Sequence, residues 1–186
     1  MVRMILLLLA LSGAPALAGG IDFSKIAKGT QFFYGPKGGQ PTRVWIYRGQ
    51  ENGKHVIAQY VLRSGAVEGA PYRLSFYDAQ GRRTELHKLS SSRSLRITFA
   101  PFYCDDAPAG RCSHIREATV LSSGERRARQ QRDFQIKGRG KTQRVLRITS
   151  GGQRETVKYQ RDARGVITMY DEAEARPVFL LAERTP

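Results

Sequence analysis

Alternation of apolar and polar residues at period two constrains this chain more than any other feature. Tyr72, Leu74 and Phe76 alternate with Arg73, Ser75 and Tyr77, and Leu95, Ile97 and Phe99 alternate with Ser94, Arg96 and Thr98. Val56, Ala58, Tyr60 and Leu62 form a third set; Leu146 with Ile148, Val157 with Tyr159 and Ile167 with Met169 continue the pattern. Strand side chains point alternately to opposite faces, so each set can share one core. Helical periodicity is weak throughout. The best helix candidate, residues 123–131, has no apolar stripe to bury.

The segments between these sets carry hairpin chemistry. Glu51-Asn52-Gly53-Lys54 separates strands expected at 44–47 and 56–62, and Asn-Gly suits a tight hairpin because both turn positions tolerate positive φ. Asp78-Ala79-Gln80-Gly81 links 72–77 to 84–89, Ser150-Gly151-Gly152 links 145–149 to 155–159, and Asp162-Ala163-Arg164-Gly165 leads on to 166–170. The two Asp-Ala-x-Gly stretches are alike only as turns on this reading. Further strands are expected at 31–34, 115–121, 134–136 and 178–181, about ten to twelve in all. Sequential hairpins predict an all-β antiparallel meander. An open edge invites aggregation, so the sheet should close into a barrel or curl strongly, with a two-sheet sandwich as the alternative. Arg and Lys are frequent along the strands, which argues against a lipid-spanning barrel.

The N-terminus reads as an export signal. A short region carrying Arg3 precedes an unbroken apolar run from Met4 to Leu11, broken by Ser12, Gly13 and Pro15 and followed by Ala16-Leu17-Ala18. That three-part layout predicts cleavage after residue 18. The apolar run is far shorter than the ~20 residues of a spanning helix, and no later segment is long and apolar enough to be one. Residues 19–186 are then a single mostly β domain in the periplasm or outside the cell.

Two cysteines, Cys104 and Cys112, enclose Asp-Asp-Ala-Pro-Ala-Gly-Arg. In an oxidising compartment such a pair is expected to be bonded and to fix local shape. A redox pair has tighter spacing and a metal site more ligands. His55, His87 and His114 are not spaced as metal ligands, and His55 and His87 read as surface or edge residues. His114 lies near Cys112, with Asp105 and Asp106 across the loop, the one place where an enzyme site could be assembled. No nucleophile elbow, phosphate loop or dinucleotide fingerprint is present, so no cofactor is expected and enzyme activity is disfavoured.

The formal charge is +15, and it is uneven. Arg126, Arg127, Arg129 and Arg132 crowd seven positions, and Lys137, Arg139 and Lys141 follow on what strand alternation makes one side. Only Glu125 and Asp133 are close enough in sequence to neutralise them. Such a stretch is a solvated loop or an anion-binding surface. An exported chain rarely meets nucleic acid, so the partners expected are anionic envelope lipid, lipopolysaccharide, cell-wall polymer or an acidic protein. Thirteen aromatic residues precede Cys104, among them Trp45, Tyr72 and Phe99. They fill a core or line an apolar cavity. Three functions follow: a non-enzymatic envelope binding protein with such a cavity or surface, a scaffold without a small ligand, or an enzyme at the Cys104–Cys112 loop.

Overall fold

The period-two segments become strands one for one. The computed structural model describes residues 20–139, 142–148, 154–172 and 176–186. Its strands are β1 (Gln31–Gly35), β2 (Arg43–Glu51), β3 (Lys54–Arg63), β4 (Ala66–Tyr77), β5 (Arg83–Lys88), β6 (Leu95–Ala100), β7 (Gly110–Val120), β8 (Arg126–Arg139), β9 (Thr142–Ile148), β10 (Arg154–Arg161), β11 (Ile167–Glu172) and β12 (Val178–Arg184). Each pairs antiparallel with its neighbour in sequence, and β12 closes on β1 from Gln31–Arg184 to Gly35–Phe179. The result is a closed twelve-strand meander, not a sandwich.

Local chemistry explains the corners. At the β2–β3 turn Asn52 and Gly53 both have positive φ, 50° and 74°, as a tight hairpin of this hand requires. Residues 123–131 do not form a helix. Gly124 donates its N–H to Val120 O at 2.9 Å in a turn, and the chain then enters β8. A helix there would have no face to bury, whereas β7 offers a ladder running from Thr119–Arg126 to Gly110–Ile136. The Arg126–Arg132 stretch is therefore paired strand and not a loop.

Side chains sort by face. On the outer wall Glu85 accepts from Lys54, Arg96 and His87, each at 2.7 Å. Burial alone would raise the Glu85 carboxyl, but these three partners bring it down to about 2. Lys158–Asp171, Arg129–Glu117 and Arg164–Glu183 are further ion pairs. These charges break up any continuous apolar band of the kind a lipid-spanning barrel presents. Among the described residues no helix is long and apolar enough to cross a membrane.

One end of the barrel is filled by the segment that precedes β1. Ile21, Phe23 and Ile26 pack among Phe32, Tyr34, Tyr47, Ile57, Tyr77 and Val166. Phe23 stacks on His55 at 4.3 Å, and the His55 ring meets Tyr47 Oη at 2.6 Å, so His55 belongs to this packed plug more than to the surface. The two Asp-Ala-x-Gly turns share more than their shape: they clamp this segment between them. Ile21 N–H donates to Gly81 O at 2.9 Å, and Asp22 N–H donates to Arg164 O at 2.7 Å. In each turn the leading aspartate, Asp78 or Asp162, accepts from the backbone N–H two and four residues on. Gly81 and Gly165 lie so close to residues 20–21 that a Cβ on either would fall within their backbone atoms.

This clamp separates two glycines of similar φ. Gly53→Ala, at 74° with open space around it, should lose about 1 kcal/mol of stability from left-handed strain alone. Gly81→Ala, at 70° against the Ile21 backbone, should lose about 3 kcal/mol or more because the plug must also move. Urea unfolding midpoints of the two variants test the difference; equal losses would mean the clamp contributes nothing.

Candidate functional site

The β6–β7 connection enters the barrel at the same end as the plug. Cys104 and Cys112 are bonded, with 5.7 Å between their Cα atoms. The short helical turn Cys104–Asp106 that follows Tyr103 is buried. Its carboxylates are matched one by one, which makes the burial affordable. Asp105 Oδ2 accepts from Tyr159 Oη at 2.6 Å; Asp106 Oδ1 lies 3.0 Å from Arg161 Nη2 and Asp106 Oδ2 accepts the Arg83 N–H at 2.9 Å. Burial raises the Asp105 carboxyl above its ordinary range despite the Tyr159 hydrogen bond. Burial alone would lower Arg83, but Asp106 beside it holds it raised.

His114 lies on the inward face of β7, 2% exposed, among the rings of Phe99, Tyr103 and Phe134. Its Nδ1 accepts the Cys104 N–H at 3.2 Å. The neutral ring must therefore carry its proton on Nε2, and that atom has no partner among the described residues. Burial first, then Arg132, Arg116 and Arg147, lowers His114 to about 4. Asp105 and Asp106 are engaged elsewhere, so the structure does not gather His114 and the two carboxylates into one reactive cluster. Among the described residues no group of three His, Cys, Asp or Glu could hold a metal ion.

Above this floor the barrel is hollow. A cavity of about 740 Å³ is lined by side chains from most of the strands, within the range of small-molecule sites. Six of its residues are cationic: Arg43, Arg73, Arg83, Lys88, Arg116 and Arg132. Among the described residues no aspartate or glutamate lines it. Aromatic residues supply much of the rest, including Trp45, Tyr72, Phe99, Tyr103, Tyr159 and Tyr170. Arg43 donates to Tyr170 Oη at 2.8 Å, and the buried Trp45 Nε1 has no partner among the described residues. Arg116 is lowered by burial and then by Arg147, the signature of a cation facing other cations in a half-buried place.

The basic residues singled out from sequence are divided between the two faces of β8. Arg126 and Arg129 lie outside against Glu117, and Arg127 pairs with Glu125 at 3.0 Å. Lys137 is exposed. Arg139 ends β8, and Lys141 lies outside the described residues. Arg132 alone among those described lines the cavity. Arg43, Arg73, Lys88 and Arg116 escaped the sequence reading because they are scattered through four strands. Their signal was a cation at an inward position of an alternating strand, as with Arg73 between Tyr72 and Leu74.

Comparison with protein-family models, curated proteins and solved structures returns no match.

The buried histidine predicts a pH dependence. A folded-state value lowered from 6.5 to about 4 means the unfolded chain binds the proton more readily between these values. Its stabilising contribution is complete above pH 6.5 and is lost as pH falls toward 4. From pH 7 to pH 5 this amounts to about 1–2 kcal/mol. His114→Asn keeps an acceptor for the Cys104 N–H and removes the titration. Urea unfolding at the two pH values should show a smaller pH loss in the variant; an equal loss would assign the dependence to other groups.

Proposed function

We propose that this is an exported, non-enzymatic binding protein of the cell envelope that holds a small anionic ligand with an apolar or aromatic body inside its barrel. The observation that carries the reading is the cavity lining: among the described residues, six cations, no carboxylate and a wall of aromatic rings. Arg43, Arg73 and Arg116 have no carboxylate partner among the described residues, so their charge is directed to whatever enters. Like charges gathered in a partly water-excluded space repel, and an anion relieves that repulsion while its body covers the rings. The export signal and the Cys104–Cys112 bond support an oxidising compartment. The exterior basic stretch is a weaker candidate, since Arg126, Arg127 and Arg129 already have acidic partners.

The chain's single tryptophan, Trp45, lies on the cavity wall and reports occupancy directly. Anilinonaphthalene sulfonate should quench Trp45 saturably in the folded protein and weaken as sodium chloride rises. N-phenyl-1-naphthylamine, the same body without charge, should bind at least tenfold more weakly. Equal binding of the two probes would replace the anion reading with an apolar cavity, and binding of neither would remove the cavity as the working part. Protein recovered from the exported fraction should have the mass of a chain beginning at Gly19; an intact residue 1–18 segment there would overturn the cleavage.

A further inference from the structure

The register of β2 to β5 sets a single row of polar side chains across one wall of the cavity. Trp45 stands opposite Gln59, Gln59 opposite Arg73, and Arg73 opposite Lys88. All four line the cavity, and directly paired residues of neighbouring strands lie within reach of one another on one face. Two members of the row hold unused donors. Gln59 is 2% exposed; Tyr72 Oη donates to its Oε1 at 3.3 Å, and its Nε2 donates to nothing among the described residues. Arg73 makes no ion pair or hydrogen bond among the described residues. Its Nε is buried without a partner, and its guanidinium carbon lies 5.8 Å from the centre of the Tyr72 ring. A donor buried without an acceptor costs stability, and here two such side chains stand next to each other facing one space.

The neighbouring row carries no charge. Arg83 at the start of β5 meets Asp106 in the floor, so Lys88 at the strand's end is the member furthest from the floor. Two residues nearer the floor, Ser75 stands opposite Leu86, Leu86 opposite Ile97 and Ile97 opposite Ala118. All four are buried. Leu86 and Ile97 line the cavity, and Phe99 continues this surface down to Tyr103, 4.7 Å away between ring centres.

We infer that Arg73 and Gln59 form the head-group subsite for a monocarboxylate, so that the ligand is a carboxylic acid bound as its anion, with its apolar body along Leu86, Ile97 and Phe99. This rests on the cavity-binding reading above and narrows it. The planar fork of Arg73 presents parallel N–H groups to the two oxygens of a carboxylate. Gln59 adds a neutral N–H donor from the adjacent strand, for a lone pair that the fork leaves open. The partnerless cation of the row is Arg73, which one negative charge balances; Lys88 beside it already has interactions of its own. The order of the rows fixes the orientation, carboxylate away from the floor and body toward it.

The test compares octanoate, octanamide and heptane-1-sulfonate, three head groups on one heptyl chain, by the fluorescence of Trp45 at pH 7.5. Octanoate should bind about tenfold more tightly than either of the others. Arg73→Lys keeps the charge and loses the fork, so it should remove the preference over the sulfonate. Arg73→Gln should weaken octanoate about tenfold and leave octanamide nearly unchanged. Gln59→Glu gives Arg73 a carboxylate of its own. It should exclude octanoate while the urea unfolding midpoint holds or rises, which separates lost binding from lost folding. Arg126→Gln and Arg129→Gln, on the outer wall, should leave all three affinities unchanged. In the unsubstituted protein the Arg73 Nε–H resonance, assigned by its absence from Arg73→Lys, should move downfield and exchange more slowly with water when octanoate is bound. Equal affinity for octanoate and the sulfonate, or an Arg73 Nε–H unmoved by saturating octanoate, overturns the head-group inference while leaving anion binding in place. Loss of octanoate binding in Arg116→Gln but not in Arg73→Gln moves the head group to β7 and overturns it likewise. Octanamide binding as tightly as octanoate, or binding of none of the three, overturns the anion reading with it.

Discussion

A barrel of twelve strands is too wide for its own side chains to fill, and the rest of this structure follows from that constraint. About eight strands enclose a space that inward side chains just occupy; more strands leave a lumen. The chain fills part of the lumen with two inserted segments. The N-terminal stretch brings Ile21, Phe23 and Ile26 into one end, and the disulfide-bonded connection brings Cys104 and Ala107 against Phe134, Ile136 and Val145. What neither segment reaches remains open as the cationic cavity.

The two insertions are joined through Arg161. This side chain, near the end of β10, contacts Asp106 Oδ1 at 3.0 Å, Asp105 O at 3.2 Å and Gly165 O at 2.9 Å. Gly165 belongs to the turn that lies against Gly20 and Ile21. One guanidinium thus ties the buried aspartates of the cavity floor to the turn that grips the plug. Such a pair contributes geometry more than stability, because desolvating the charges offsets most of their attraction. The apolar contacts of Phe23, Tyr34, Tyr47 and Tyr77 supply the driving force, and the ionic contacts decide where the inserted chain comes to rest.

Much of the architecture was legible because strand period and hairpin chemistry are local properties. Each of the twelve expected strands lies on an observed one, and Asn52-Gly53 turns where its φ preferences require. Barrel closure was legible only as a general demand that edges be satisfied. The helix candidate at 123–131 failed because a weak local preference met a long neighbouring ladder on β7. The candidate site was less legible. Alternation tells which residues share a face but not which face is inside, and in a polar strand such as β8 the small Ala128 is the one apolar marker before Phe134. Arg132 therefore read as one member of an exterior run, although its even-numbered neighbours Phe134 and Ile136 point inward with it. The buried Cys104–Asp106 turn was hidden for a different reason. Its partners Arg83, Tyr159 and Arg161 come from β5 and β10, distances along the chain that no local pattern spans.

The same reasoning separates the two cationic regions of the molecule. On the outer wall, charge is met by charge: Glu117 serves Arg126 and Arg129, and Glu85 serves Lys54, Arg96 and His87. Water screens what remains within about 8 Å at physiological salt. Inside, Asp105 and Asp106 are drawn down into the floor, where Tyr159, Arg83 and Arg161 engage them. Among the described residues, the interior carboxylates Asp105 and Asp106 lie where they do not neutralise Arg43, Arg73 or Arg116. Clustered cations in a half-buried space are destabilising to the empty protein. A fold selected only for stability would gain by replacing one of them with an apolar residue or pairing it with a carboxylate. That unbalanced interior charge, next to a buried histidine kept neutral, is what sets the cavity apart from packing left incomplete by the width of the barrel.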